Sequence, residues 1–514
     1  MPNYTNSLWT PTVDERVYPG LDRSHTVDVA VIGAGVTGVT TARLLKDAGR
    51  KVALVESRRV GLGETGKTTA HLTQVLDTRF QTLVSNFGFD GAQLAVASQG
   101  AAIARIARFV EERRIDCQFE WLPGYLFAQN EGDAHELEKE REIAVRLGLD
   151  VEPVSNLTLP FPIVRALRFP KQAQVHPRRY LLGLVEGIDG NGSHVFEDTQ
   201  VLDIEHEALG DEYRLVTDRG VLRARDVVVA AHVPISNKVL FHTKLAAYRT
   251  YAVAVALPDD GPKGMFWDMA SPYHYIRWQR VDGVCYLIVG GEDHKVGESD
   301  NTREPFQRLE DYLLSRFGRT VKATDFRWSG QIIEPADGLP YIGRGPGMDH
   351  LYVATGYAGN GMTSGTLAGM LIADEIVGKV NPWRDLYDPA RFKPVASAKN
   401  FIGENVTFPK HLIADRLKGL AGADALETLA PGEGRLVKIE GGKLAVYKNT
   451  HGELVTLSPV CTHLGCLVNW NTTQKSWDCA CHGSRFDPQG RVLNGPATAA
   501  LEARELFPGT ASKR

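Results

Sequence analysis

The sequence predicts an α/β domain interleaved with a mixed-sheet α+β domain, followed by a small all-β domain. Three observations predict it. An apolar, β-rich run, Val27 to Ile32, feeds a glycine-rich turn and then a helical pattern that stops at Gly49. The middle of the chain carries "FEWLPGYLFAQ", "YRTYAVAVAL", "YHYIRWQR" and "VCYLIVGGEDH", which read as strands. Near the C-terminus "RLVKI", "KLAVYK" and "ELVTL" alternate apolar and polar residues, with "GG" and "THG" between them as hairpin turns.

Composition sets the frame for these elements. A length of 514 residues allows roughly three domains with ordinary hydrophobic cores. Hydrophobic content of 43% and a net charge of −4 describe a globular protein for which neither a nucleic-acid nor a membrane-surface partner is expected. No run of about 18 uncharged apolar residues occurs, and "MPNYTNSLWT" lacks the basic and apolar regions of a signal peptide. No membrane span is expected, and the cytoplasm is the expected compartment. Six cysteines in the whole chain exclude a disulfide scaffold. Four of them, with two histidines, crowd into "CTHLGC" and "CACHGS", which points to metal or redox chemistry.

The first element is a nucleotide signal. The turn after Ile32 reads Gly33-x-Gly35-x-x-Gly38, and a second strand, Lys51 to Val55, closes with Glu56. With 51 glycines the bare pattern arises readily by accident, and "GLGETG", Gly61 to Gly66, also matches it. Only the first match follows a buried strand and opens a helix. There the glycines permit a tight turn and bring backbone N–H groups at a helix N-terminus toward a pyrophosphate. Glu56 is placed to accept hydrogen bonds from a ribose hydroxyl, the bland alternative being a solvated acid at a strand end. NAD and FAD share this fingerprint.

The element that separates them lies far along the chain. Glu334 to Gly378 contains a strand (His350 to Thr355), a turn with Gly356, Gly359, Asn360, Gly361 and Met362, and a helix with a small-residue face. This segment resembles the closing motif of the D-amino-acid oxidase superfamily of flavoproteins, where the turn and helix approach the flavin ring. "GLGETGKTTAHLT" resembles that superfamily's loop around the pyrophosphate and flavin, with Thr65, Gly66, Lys67 and Thr68 at its Ser-Gly-Arg-Asn-like positions. "ARDVVVAAHVPIS", Ala224 to Ser236, resembles its late strand. The resemblance spans roughly residues 25 to 390 and implies FAD rather than NAD. It implies an FAD-dependent oxidoreductase over 1–395, with a Rossmann-like FAD-binding fold assembled from about 25–80, 195–235 and 325–390.

The intervening segments are then the substrate domain, a mixed sheet roofing the flavin. Tyr251, His274, Tyr275 and Arg277 are candidates to face substrate, since aromatics and one arginine suit a small amine or carboxylate. Strand packing is the competing reading for each. Cys117 and Cys285 fall in helical and strand contexts and are expected in the core. No cysteine precedes "DGLPYIG", which removes one known covalent flavin attachment, while His71 keeps another open.

The last element surrounds the cysteines. Cys461 and Cys466 are too far apart for a zinc C-x-x-C knuckle. Pairing each cysteine with a histidine gives Cys461-x-His463, a gap of fifteen residues, then Cys479-x-x-His482. That is the Rieske pattern, two thiolates on one iron of a [2Fe-2S] cluster and two imidazoles on the other. "CTHLGC" and "CACHGSRF" resemble the Rieske proteins of cytochrome bc-type complexes. The resemblance implies a disulfide between Cys466 and Cys481, two ordinary buried thiols being the alternative. Buried by the cluster, such a bridge could survive in a reducing compartment. The resemblance also implies that Ser484 donates a hydrogen bond to a cluster sulfur. Phe486 stands where that branch carries a tyrosine. "NGPA", Asn494 to Ala497, resembles its proline loop over the cluster. The Rieske domain is expected at 425–510, after a linker at 396–424.

Together these elements imply oxidation of a C–N bond in a small amine or amino acid. A hydride passes to flavin, and single electrons leave through the cluster to an external acceptor protein. Two alternatives remain at this point. Electrons could enter from a donor through the cluster, or the cluster could serve as a sensor or structural plug.

Overall fold

The computed structural model describes residues 6–207, 211–235, 244–297, 301–318, 324–393, 426–439 and 442–505. The expected linker at 396–424 lies outside the described residues. Four sheets are present among the described residues.

The first sheet runs Tyr341–Arg344, Leu351–Thr355, Val221–Val229, His25–Ile32, Val52–Val55, His194–Phe196, with Val201–Glu207 and Glu212–Thr217 attached antiparallel at Val221–Val229. His25–Ile32 pairs in parallel with Val52–Val55 and with Val221–Val229, which pairs in parallel with Leu351–Thr355. Val52–Val55 and Leu351–Thr355 are buried at every position, as strands covered on both faces must be. Two helices, Val36–Asp47 and Gly361–Ile376, pack on one face. Gly369 makes that contact close: a Cβ there would sit 2.6 Å from the Thr40 methyl. This is the expected dinucleotide fold, with its switch point beside the Gly33 turn.

The second sheet is mixed and antiparallel in the main. Its order is Phe326–Pro335, Leu245–Leu257, Val284–Lys295, His274–Val281, Met265–Asp268, Glu120–Ala128, Arg165–Gln174, His71–Leu72. All four strands expected in the middle of the chain are present here. Two boundaries differ from expectation. Phe326–Pro335 pairs with Leu245–Leu257 in this sheet, so the third nucleotide-fold segment begins nearer Tyr341 than residue 325. His71–Leu72 also belongs here, so the loop after Glu56 carries the chain from one sheet into the other.

The C-terminal part is all β. Glu433–Ile439, Gly442–Lys448 and Leu454–Leu457 form one antiparallel sheet, and Val468–Asn471, Ser476–Cys479, Arg485–Phe486 and Val492–Asn494 form the other. Their shared core includes Val468, Trp477, Phe486 and Leu501. This domain is docked on the rest of the chain: Thr302 Oγ1 meets Thr473 Oγ1 at 2.7 Å, and Asn469 Nδ2 donates to the Gly297 carbonyl at 3.2 Å. No helix among the described residues is long and apolar enough to cross a membrane.

Candidate functional site

A cavity of about 460 Å³ opens where the two large sheets meet. Its first end is built by the glycine turn. Gly33 has φ +99°, and a Cβ on it would fall 2.6 Å from the Ala230 carbonyl oxygen. A Cβ on Gly38 would fall 1.8 Å from the Gly33 carbonyl oxygen, so helix and turn close only with glycine there. Glu56 turns back toward this turn: its Oε2 accepts from Ala34 N at 2.8 Å and its Oε1 from Arg58 N at 3.0 Å. Thr65 Oγ1 accepts from Val36 N at 3.1 Å, so the second loop is tied to the first helix N-terminus.

Gly33, Gly35, Glu56, Thr65, Lys67, Thr68, Gly359, Asn360, Gly361 and Met362 line the cavity. Gly38, Gly66 and Gly356 do not, and they serve packing behind its wall. A Cβ on Gly66 would lie 2.3 Å from the Gly61 carbonyl oxygen, and Gly356 backs onto Leu245 and Pro335. Asn360 works through its side chain: Oδ1 accepts from Asp77 N at 2.9 Å and Nδ2 donates to the Val75 carbonyl at 3.2 Å. It thereby holds Val75–Asp77 against the start of the helix Gly361–Ile376. A glycine turn, a strand-end glutamate and a second helix N-terminus along one elongated cavity fit FAD.

At the other end stand His71, Asp77, Thr250, Trp267, Asp268, Tyr273 and Tyr275. Of the four substrate candidates, Tyr275 alone lines the cavity. Its hydroxyl meets Thr250 Oγ1 at 3.2 Å, and a Cβ on Gly290 would run 2.3 Å into its ring, so the glycine lets Tyr275 lie across the sheet. Tyr251 and His274 sit one residue out of phase. They face the helix Glu304–Phe317, where Tyr251 packs on Phe306 and His274 stacks on Tyr312 at 4.1 Å. His274 nonetheless acts on the wall, since its Nδ1 meets Asp268 Oδ2 at 3.0 Å. Arg277 is fully buried beneath the flavin loop, donating to the carbonyls of Ala70 at 2.7 Å and Val175 at 3.3 Å. Burial pushes its guanidinium down to about 9.

His71 was named only for covalent flavin attachment, and Asp77 and Asp293 went unnamed by sequence reasoning. Burial, with the Arg277 charge, pushes His71 down to about 3, so the ring is neutral, and its Nε2 has no hydrogen-bond partner. His71 makes edge contacts with Tyr275 and Trp267. Burial pushes Asp293, beside Thr250 and Tyr273, up to about 7. Asp77 is raised as well, by burial. Carboxyl groups and aromatic rings together favour a cation. Cys285 lies in the strand Val284–Lys295 as expected, whereas Cys117 lies in the bend after the long helix Phe80–Arg113 rather than in a helix. Both are buried.

The metal centre lies across a domain contact. Cys466 and Cys481 form a disulfide with their Cα atoms 6.5 Å apart. The sulfurs of Cys466, Cys479 and Cys481 lie within 4.8 Å of one another, but two of the three are spent on the bridge. That leaves Cys461 and Cys479, whose thiols hydrogen-bond each other, and His463 and His482, whose rings lie 5.0 Å apart at 89°. Two free thiols beside two imidazoles fit a [2Fe-2S] cluster held two-and-two. Ser484 Oγ accepts from Ala497 N at 3.1 Å, which leaves its O–H directed to Cys461. Phe486 is fully buried in the domain core.

Gly483, next to His482, packs on the FAD side of the molecule. Gln331 lines the cavity, and its Nε2 donates to the Gly483 carbonyl at 2.8 Å. The backbone N of the same Gln331 donates to Glu64 Oε2 at 2.6 Å, while Glu64 Oε1 accepts from Lys67 Nζ at 3.0 Å and Asn494 Nδ2 at 2.9 Å. Burial opposes the charge of Glu64, but Lys67, His232, Arg249 and the Gln331 amide overcome it and hold the carboxyl well below the usual range.

Comparison with known proteins places both halves. A family described as FAD dependent oxidoreductase matches residues 28–375, and the Rieske [2Fe-2S] domain matches 422–505. The chain is 32% identical over 504 residues to the Rieske 2Fe-2S iron-sulfur protein YhfW of Bacillus subtilis, covering 97% of each chain. It is 26% identical over 399 residues to gamma-glutamylputrescine oxidoreductase of Escherichia coli, covering 74% of this chain and 90% of that one. Glycine oxidase from Geobacillus kaustophilus superposes with a TM-score of 0.62 at 20% identity, over 72% of this chain and 99% of that one. That likeness shows the fold alone.

Proposed function

From the premise that this chain belongs to the FAD dependent oxidoreductase family and carries a Rieske [2Fe-2S] domain, we propose that it oxidises a C–N bond of a small amine or amino acid. Its electrons then leave through its own cluster to an external one-electron acceptor protein. The substrate C–H hydrogen leaves with its electron pair, the N–H proton goes to water, and water hydrolyses the resulting imine to a carbonyl compound and a free amine. Bound FAD supplies a two-electron acceptor and the cluster a one-electron carrier, so each turnover delivers two electrons in two steps.

The residues of the chain bind, orient and connect. Asp77, Trp267, Tyr273 and Tyr275 supply a negative, aromatic wall suited to drawing in an ammonium group. Asp268, held by His274, keeps its carboxylate on that wall. The reading is carried by one observation: Gln331 both lines the FAD cavity and hydrogen-bonds the backbone next to the cluster ligand His482. A connection that short suits electron passage within one chain.

The test is anaerobic mixing of the oxidised protein with a panel of amines and amino acids. The expected outcome is flavin bleaching followed, within the same turnover, by the electron-paramagnetic signal of a reduced Rieske centre. Bleaching with a cluster that stays oxidised would refute the electron path. Absence of bleaching across the panel would refute the substrate class.

A further inference from the structure

The wall of the FAD cavity is not confined to the FAD domain. Val492, Leu493, Asn494, Gly495, Ala497 and Thr498, all from the cluster domain, line it as well. These residues include the proline loop over the metal ligands, and the loop is fastened on both sides. Toward the cluster, Ala497 N donates to Ser484 Oγ at 3.1 Å, and Arg485 Nη1 donates to Asn494 Oδ1 at 3.3 Å. Toward the flavoprotein, Asn494 Nδ2 donates to Glu64 Oε1 at 2.9 Å and Gln200 Nε2 donates to the Thr498 carbonyl at 3.0 Å. Gln200 and Glu64 are themselves cavity-wall residues, one beside Thr199 and Val201 at the nucleotide end, the other beside Thr65 and Lys67. The loop therefore runs along one side of the cavity between two anchoring points.

We propose that the loop 492–498 is part of the FAD-binding site, keyed in by the buried carboxylate of Glu64, so that FAD and the cluster domain hold each other in place. The physical reason is linkage. A ligand that touches two domains stabilises their docked arrangement by the same factor by which docking raises its affinity. Glu64 makes the key specific. It is only 11% exposed, its charge is already matched by Lys67, and Asn494 is the neutral donor that completes its shell. The consequence for electron flow is a fixed arrangement of the two redox centres whenever FAD is bound. The inference rests on FAD binding alone, so it stands or falls independently of the substrate and the acceptor.

The deciding measurement is hydrogen exchange on the full-length protein with its cluster intact, compared with and without FAD. Amides in 492–498 are expected to exchange at least about tenfold more slowly with FAD bound, alongside those of 33–38. Protection of 33–38 with no change in 492–498 overturns the proposal. A second measurement uses Asn494→Asp, which sets a like charge against Glu64. Its FAD dissociation constant, read by quenching of flavin fluorescence, is expected to rise about tenfold or more, with the visible absorbance of the cluster retained to show a folded domain. Wild-type affinity in a cluster-containing variant overturns the proposal too. If that variant loses its cluster, the exchange comparison on the wild-type chain decides alone.

Discussion

Replacing Glu64 with leucine should destabilise the docked protein by roughly 3–7 kcal/mol at pH 7, and the components can be worked separately. Glu64 and Lys67 are 11% and 15% exposed with 3.0 Å between Oε1 and Nζ. Leucine leaves the Gln331 N–H and the Asn494 amide without acceptors, at about 1–3 kcal/mol each. Lys67 contributes less. Burial already pushes it down to about 8, so at pH 7 it sheds its proton for about 1.4 kcal/mol beyond its cost in the wild type. Urea unfolding followed by flavin fluorescence and cluster absorbance measures the single variants and Glu64→Leu/Lys67→Met, closing a double-mutant cycle. The double variant should recover the lysine part alone, because the orphaned donors remain. The sign in pH is also set. The folded-state value of Lys67 lies below the usual 10.5, so the unfolded chain binds more protons between about 8 and 10.5, and this residue's contribution to stability rises with pH there. In Lys67→Met that rise should be gone. A Glu64→Leu protein within about 1 kcal/mol of wild type, or a cycle with no coupling at pH 7, would refute the reasoning.

Other perturbations read other parts of the molecule. Ser484→Ala removes a donor to a cluster sulfur and should lower the cluster potential by roughly 60–130 mV, the one-electron equivalent of about 1.5–3 kcal/mol. Phe486→Tyr should raise it if the new hydroxyl reaches a ligand sulfur, because such a donor stabilises the more negative reduced state. Redox titration followed by paramagnetic resonance checks both, and an unchanged potential in a folded Ser484→Ala protein would mean the hydroxyl does not serve the sulfur. Asp293→Asn tests burial. Asp293 is raised from 3.8 to about 7, so its contribution to stability is fully present below about 3.8 and lost as pH climbs to about 7, by roughly 4 kcal/mol at most. The thermal midpoint of Asp293→Asn relative to wild type should climb from pH 5 to pH 7 and then level off. A constant difference would show that the carboxyl is solvated.

The nucleotide end was legible because its chemistry is local. A turn that admits no Cβ at Gly33 and Gly38 demands glycine, and Glu56 must end the adjacent strand, so residue type and spacing carry the site. That Cys461, His463, Cys479 and His482 come together was legible for the same reason, since they lie on two short loops with one metal-binding pattern. The substrate end was not. Strand alternation is visible in "YRTYAVAVAL" and "YHYIRWQR", but its phase is set by which face the helix Glu304–Phe317 covers, and the alternation within these two strands does not carry that information. Of the four candidates Tyr275 lies on the cavity wall, whereas Tyr251 and His274 stand one residue out of phase with Thr250 and Tyr275. Gly290 was the available signal. Paired across from Tyr275, a glycine in a central strand marks the face where a large ring needs room.

Docking of the cluster domain was invisible for a different reason, and it changes how the two cofactors should be thought of. Glu64 and Asn494 are 430 positions apart, and nothing in either motif hints at the other. Reading the halves separately predicts two independent sites, so that loss of the cluster ligand Cys479 would leave FAD binding untouched. A shared wall predicts coupling instead. Cys479→Ser should abolish the iron–sulfur absorbance and, by releasing the loop 492–498 from the ordered cluster fold, also weaken FAD. The weakening should resemble that of Asn494→Asp, since both act on the same wall. FAD titrations of the two variants on one protein preparation make the comparison direct. If Cys479→Ser binds FAD as tightly as wild type while Asn494→Asp does not, the loop holds its shape without the metal, and the Glu64–Asn494 contact rather than the cluster sets FAD affinity.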